Sequence, residues 1–143
     1  MPLASHPHPW RALRDLDHVR VGWQPLTGRR RAMTDGVQRI WMDTRLTQAE
    51  RRTALAHELV HIEHGHEGCQ DARTEVWVHQ EAARWLIPLE SLVDALLWAR
   101  NEGEIADELW VTPDLVAARF DGLAAAEQDE ISAAIARKEP DWC

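Results

Sequence analysis

His57-Glu58-Leu59-Val60-His61 is an H-E-x-x-H string. On a helix, residues at this spacing share a face, so both imidazoles can grip one Zn²⁺. Glu58 sits between them, where its carboxylate can take a proton from a water at that metal. Two metal ligands and a general base are the minimum set for metal-assisted hydrolysis of a peptide bond. Two ordinary helix histidines would give the same string. Three features favour the metal: a capped helix, apolar residues at its other positions and a downstream helix carrying an acid.

A catalytic zinc site wants a third protein ligand and keeps one position for water. His64 and His66 lie close by but do not complete H-E-x-x-H-x-x-G-x-x-H, the metzincin string, because the glycine falls at 65 and the last histidine at 66. His64 reads as a helix-end or surface residue. The acids Glu75 and Glu81 both fall on the next expected helix. Glu75 has His79 one turn later on the same face, a sensible pairing of a ligand with a polar partner. Glu81 reads better as an exposed charge, so Glu75 is preferred as third ligand and Glu81 stays open. Cys69 could bind metal as a thiolate but reads better as a free thiol on a loop. His79, His64 and the arginines are the candidates to orient a ligand or meet substrate.

The elements that must position these groups can be read from caps and periodicity. Residues 18–23 and 37–43 read as strands, with 24–35, rich in Pro, Gly and Arg, as a loop between them. The second strand is a candidate to hold an extended substrate by edge pairing. Thr47-Gln48-Ala49-Glu50 fits a capping box, which opens a helix running to about residue 64, with Gly65 as its C-terminal stop. Further helices are expected over 71–87, 89–100, 101–109, from Thr112-Pro113 onward, and 124–138. The expected fold is α+β: short strands first, then helices, with a helical portion over 101–143. The length of 143 residues suits one domain. Residues 1–9, alternating Pro and His, are expected to be loosely attached.

Composition narrows the function classes. Hydrophobic residues at 45% and charged residues at 28% are ordinary for a soluble globular chain. No apolar run approaches the roughly 18 residues of a membrane span. The N-terminus shows no secretory signal pattern, and two cysteines make no disulfide framework, so a cytoplasmic location is expected. The net charge of −8 is uneven: residues 1–44 hold seven Arg against four Asp, while residues 101–143 hold three basic against eleven acidic side chains. An acidic chain is a poor general nucleic-acid binder. Of the eight Trp, Trp41, Trp77 and Trp85 are placed near the site.

The stretch from Arg51 to His61, Arg-Arg-Thr-Ala-Leu-Ala-His-Glu-Leu-Val-His, resembles the active-site helix of the ImmA/IrrE metallopeptidases. That family tends to read R-x-T-L-A-H-E-L-G-H, then E-x-x-A-(N/D)-x-F-A-x-x-L-(L)-x-P. Residues Glu75 to Pro88 are similar to the second motif when aligned backwards from Pro88. The alignment puts Glu75 at the third-ligand position and His79 at the Asn/Asp position. Val60 replaces the usual Gly and Val78 the usual Ala. The resemblance covers about residues 37–125, and residues 105–120 are similar to the family's C-terminal helices, which have a helix-turn-helix look.

The resemblance implies a small gluzincin-like fold, with an antiparallel sheet against the zinc helix. It also implies zinc-dependent cleavage of a protein substrate, a helix-turn-helix repressor of a phage, mobile element or stress response. A non-proteolytic zinc-containing module that grips a transcription factor is the alternative. Direct DNA binding through residues 104–120 is disfavoured by the acidic surroundings, and a packing role is expected instead.

Overall fold

The computed structural model describes residues 7–138 and runs α1 (Pro9–Arg14), β1 (Arg20–Trp23), β2 (Ala32–Thr34), β3 (Arg39–Met42), α2 (Gln48–Glu63), α3 (Ala72–Leu86), α4 (Leu89–Leu96), α5 (Glu102–Leu109), α6 (Pro113–Asp121) and α7 (Ala125–Lys138). It is an α+β arrangement, a short three-stranded sheet followed by helices. Of the segment expected to be loose, residues 1–6 lie outside the described residues, while Pro9 is buried and opens α1 at the position a fixed φ suits.

The sheet has the order β1-β3-β2. Strand β1 runs parallel to β3 and β2 antiparallel to it, so the sheet is mixed where the resemblance implied an antiparallel one. Strand β2 falls inside the stretch read as loop. It is three residues long and pairs Ala32, Met33 and Thr34 with Met42, Trp41 and Ile40. It also displaces the expected substrate edge: β3 is the central strand with both edges occupied, so a free edge belongs to β2 instead. The β2–β3 turn is built on Asp35, whose Oδ1 accepts from the backbone N–H of Val37, Gln38 and Arg39 at 2.9, 2.9 and 3.0 Å.

Two apolar clusters meet at α2. Ala54, Leu55 and Leu59 pack with Val19, Ile40 and Met42 on the sheet side. Ala56 and Val60 pack on the other side with Val78, Ala82, Leu86, Leu115 and Val116. Leu55 is fully buried, and each such leucine contributes about 2 kcal/mol relative to exposure. Trp85 touches both clusters.

Arg52 ties α2 to the helical portion. Its guanidinium Nη1 donates to the carbonyls of Leu109 and Trp110 at 3.1 and 2.9 Å, the C-terminal end of α5, where a cation is favoured. Trp110 holds a left-handed backbone (φ 59°), which ends α5 and costs about 1–3 kcal/mol for a non-glycine residue. Helix α4 stops at Leu96, short of the expected Arg100: its end tightens, with the Trp98 N–H donating to the Ala95 carbonyl at 3.1 Å, and the chain is extended by Asn101 (φ −158°), which caps α5. Helices α5 and α6 bury Leu109, Leu115, Val116 and Arg119, and α6 packs its apolar face on α3.

Candidate metal centre

Helix α2 is fixed before any metal is considered. Thr47 Oγ1 accepts from the Glu50 N–H at 3.2 Å, and Glu50 Oε1 accepts from the Thr47 N–H at 2.9 Å, the reciprocal capping box read from the sequence. With apolar contacts on two sides, the remaining face turns His57 and His61 the same way. Their rings lie 4.9 Å apart between centroids. Helix α3 starts at its N-cap Asp71, whose Oδ1 accepts from the Thr74 N–H at 2.8 Å, and Glu75 lies in the first turn.

That turn brings Glu75 to the histidine pair. Its Oε1 is 2.9 Å from His57 Nε2 and 3.1 Å from His61 Nε2. These three ligand atoms lie within 4.8 Å of one another. Neighbouring ligands on a tetrahedral ion with bonds of ~2.0–2.1 Å stand about 3.3 Å apart, and Glu75 Oε1 already lies close to that distance from each imidazole nitrogen. Two imidazole nitrogens and one carboxylate oxygen are also a donor set of catalytic zinc sites, which leave the fourth position to water.

The electrostatics suit a cation. Burial holds the His57 imidazole below its usual pKa, against the pull of Glu75, and so keeps it in the neutral form that binds metals. Burial would raise the Glu75 carboxyl, but the hydrogen bonds and charges of His57 and His61 outweigh it and hold it below the ordinary value. Glu58, only 7% exposed, is pushed up to about 8, chiefly by burial and then by the charge of Glu75. A dication held by its neighbours would draw that value down again.

Other candidates are placed as follows. His79 reaches the rim of the site: its ring lies 5.6 Å from that of His57, and its Nε2 is 3.1 Å from Asp114 Oδ2 on α6. Asp114, held well below the usual carboxylate range first by His79, also accepts from Arg31 Nη1 at 3.2 Å. His64 is exposed beyond the end of α2 with its ring edge-on to Trp77, away from the three ligand atoms. Glu81 pairs with Arg84 at 2.8 Å, and Cys69 is exposed on its loop. Trp77 packs by His64 and His66, while Trp41 lies half-buried in β3.

Sequence reasoning missed two partners. Asp114 lies on a helix remote in sequence, and no local spacing points to it. His66 was weighed only as a ligand; its Nδ1 lies 3.1 Å from His61 Nδ1.

Two open cavities flank the site. One of about 360 Å³ is lined by Arg29, Arg31, Ala32, Thr53, His57 and Glu58, among others. The other, of about 410 Å³, includes His57, Glu75, Val76, His79 and Asp121. His57, His79 and Asp114 form the wall common to both. A larger cavity of about 460 Å³ near Trp10, Arg52 and Trp110 contains none of these groups. No helix of the described residues is long and apolar enough to cross a membrane.

No curated protein and no solved structure matches the chain. The family model of the IrrE N-terminal-like domain, peptidase family M78, matches residues 20–121, from β1 to the end of α6. With that match across the sheet, the H-E-x-x-H helix and the helix that brings Glu75, the chain belongs to the ImmA/IrrE family of metallopeptidases.

Proposed function

We propose that the chain is a zinc-dependent endopeptidase acting on a protein substrate in the cytoplasm. The observation that carries this reading is the convergence of His57 Nε2, His61 Nε2 and Glu75 Oε1 beside the buried carboxyl of Glu58. His57, His61 and Glu75 would hold zinc, which would supply Lewis acidity to lower the pKa of a water towards ~7 and to polarise the scissile carbonyl.

The chain's own residues do the rest. Glu58 takes the proton from the attacking water and delivers it to the leaving amine, from a buried carboxyl that lines one of the two cavities at the site. Asp114 accepts from His79 Nε2 on the wall between the cavities, which leaves Nδ1 of a neutral ring to accept from a substrate N–H. Strand β2 has a free edge, and Ala32 lines the cavity that holds Glu58, so an extended substrate can pair there.

The family resemblance supports a helix-turn-helix repressor as substrate. Glu58→Gln keeps the ligand set but removes the base, so it should retain zinc and lose cleavage of such a repressor. Equal cleavage by Glu58→Gln and the parent chain would sink the mechanism. Binding of the repressor by the parent chain without cleavage would favour the regulatory module instead.

A further inference from the structure

We infer that His66 is a positioning residue for the metal centre, fixing the ring of His61, and that the Asp35-Gly36 turn in its place fixes His66. The inference rests on the metal reading of the His57, His61 and Glu75 cluster.

His61 presents Nε2 to Glu75 at 3.1 Å, so its other ring nitrogen points away from the cluster. That nitrogen, Nδ1, lies 3.1 Å from Nδ1 of His66. Two ring nitrogens can pair only when one carries hydrogen. A metal at Nε2 needs the lone pair there, so the His61 proton sits on Nδ1 and His66 Nδ1 accepts it. The proton of neutral His66 is then on Nε2. Histidine ligands take their orientation and tautomer from such a bond at the distal nitrogen.

His66 is itself held from two sides. Its backbone N–H donates to the His61 carbonyl at 2.9 Å, and its ring lies edge-on to Trp77 at 6.2 Å. Opposite, the β2–β3 turn presses on its backbone. A Cβ at Gly36 would lie 2.0 Å from the His66 carbonyl oxygen, and Gly36 has φ +80°. Only glycine combines that conformation with that approach. Asp35 pins the same turn through its carboxylate, and its carbonyl accepts from the Gly68 N–H at 3.4 Å. The turn of the sheet thus reaches the metal ligand through His66.

The test is zinc affinity, measured by competition with a chromophoric chelator, with circular dichroism to verify folding. His66→Phe keeps an aromatic ring but has no acceptor, and should bind zinc about 10–100-fold more weakly. His66→Asn restores a carbonyl acceptor and should recover part of the loss. Gly36→Ala should weaken binding by a similar factor, and its loss should not multiply with that of His66→Phe in the double variant.

Affinity in His66→Phe within about twofold of the parent overturns the inference, because removing such a partner ordinarily costs tenfold or more. Equal losses in His66→Phe and His66→Asn overturn the hydrogen-bond role. Multiplying losses overturn the link to Gly36. If Gly36→Ala fails to fold, the two His66 variants still decide the role of His66. A parent chain that binds no zinc overturns the metal reading and this inference together, whereas zinc binding that ignores His66 overturns this inference alone.

Discussion

Helices α2 and α3 face each other across the candidate metal centre but are held in place differently. Nine of the 16 residues of α2 are buried, against four of 15 in α3. Helix α2 is a wall common to both apolar clusters, so its histidines are set by packing on two sides. Helix α3 packs through one face and offers Glu75 from its first turn, with 42% of that side chain exposed. The more deeply buried helix carries two ligands and the base; the more exposed one carries the third ligand. A site built this way lets the carboxylate adjust to an ion while the imidazoles stay fixed.

The largest effect expected from breaking this division is loss of the metal. Purified parent chain should carry about one zinc, the occupancy of a site with three protein ligands. Glu75→Ala should lose it, because two histidines remain without a charged partner. Glu81→Ala should keep it, since Glu81 is engaged with Arg84 on the same helix. Metal content by mass spectrometry checks both. Zinc retained in Glu75→Ala and lost in Glu81→Ala would transfer the third ligand to Glu81.

Packing on the two sides of α2 can be weighed next. Leu55→Ala opens the sheet-side cluster and Leu115→Ala the helical one; both leucines are 0% exposed. Each should cost about 2–5 kcal/mol in denaturant unfolding. If α2 joins the clusters into one cooperative unit, each variant shifts a single transition. Two separated transitions in either variant would show that the clusters melt independently.

What could be read from the chain alone follows the range of the interactions. The capping box at Thr47 and Glu50, the stop at Gly65 and the cap at Asn101 are local, and the structure forms them where the sequence puts them. Strand β2 was illegible because three residues cannot show a period, and they follow an Arg-rich, Gly-containing run. The parallel pairing of β1 with β3 depends on where β2 inserts, so it was hidden for the same reason. Glu75 could be preferred as third ligand because His79 follows it one turn later on the same face and because the stretch from Glu75 to Pro88 resembles the family's second motif. Asp114 was not legible, since it meets His79 from a helix remote in sequence, and the Nδ1 contact of His66, though only five residues from His61, depends on how the chain turns after α2 rather than on helical spacing.

Acid should test the sheet side selectively. Asp43 Oδ2 accepts from the Leu26 N–H at 2.9 Å, and its carboxylate pairs with Arg45 at 2.6 Å. Arg45 and these backbone donors hold the Asp43 carboxyl well below the usual range. A carboxyl depressed on folding contributes stability that is complete above its unfolded value of about 3.9 and is lost as pH falls through the folded value. Asp43→Asn should therefore be less stable than the parent at neutral pH, and its stability should fall less steeply below pH ~4. Parallel acid-unfolding curves for the two chains would remove Asp43 from the account.

The finest test compares the two helix caps. Thr47→Ala and Asp71→Ala each remove a side-chain acceptor at a helix N-terminus and should cost about 1 kcal/mol of stability. Their effects on zinc should differ. The histidines of α2 lie well beyond its first turn, in a helix buried almost all round, so Thr47→Ala should leave zinc affinity unchanged. Glu75 lies in the turn that Asp71 caps, and its N–H donates to the Asp71 carbonyl at 3.0 Å. Fraying there should displace the third ligand and weaken zinc by up to about fivefold, the factor that corresponds to ~1 kcal/mol. Equal zinc affinities in the two variants would mean that packing of Val78 and Ala82 holds the whole of α3, first turn included, as firmly as α2 is held.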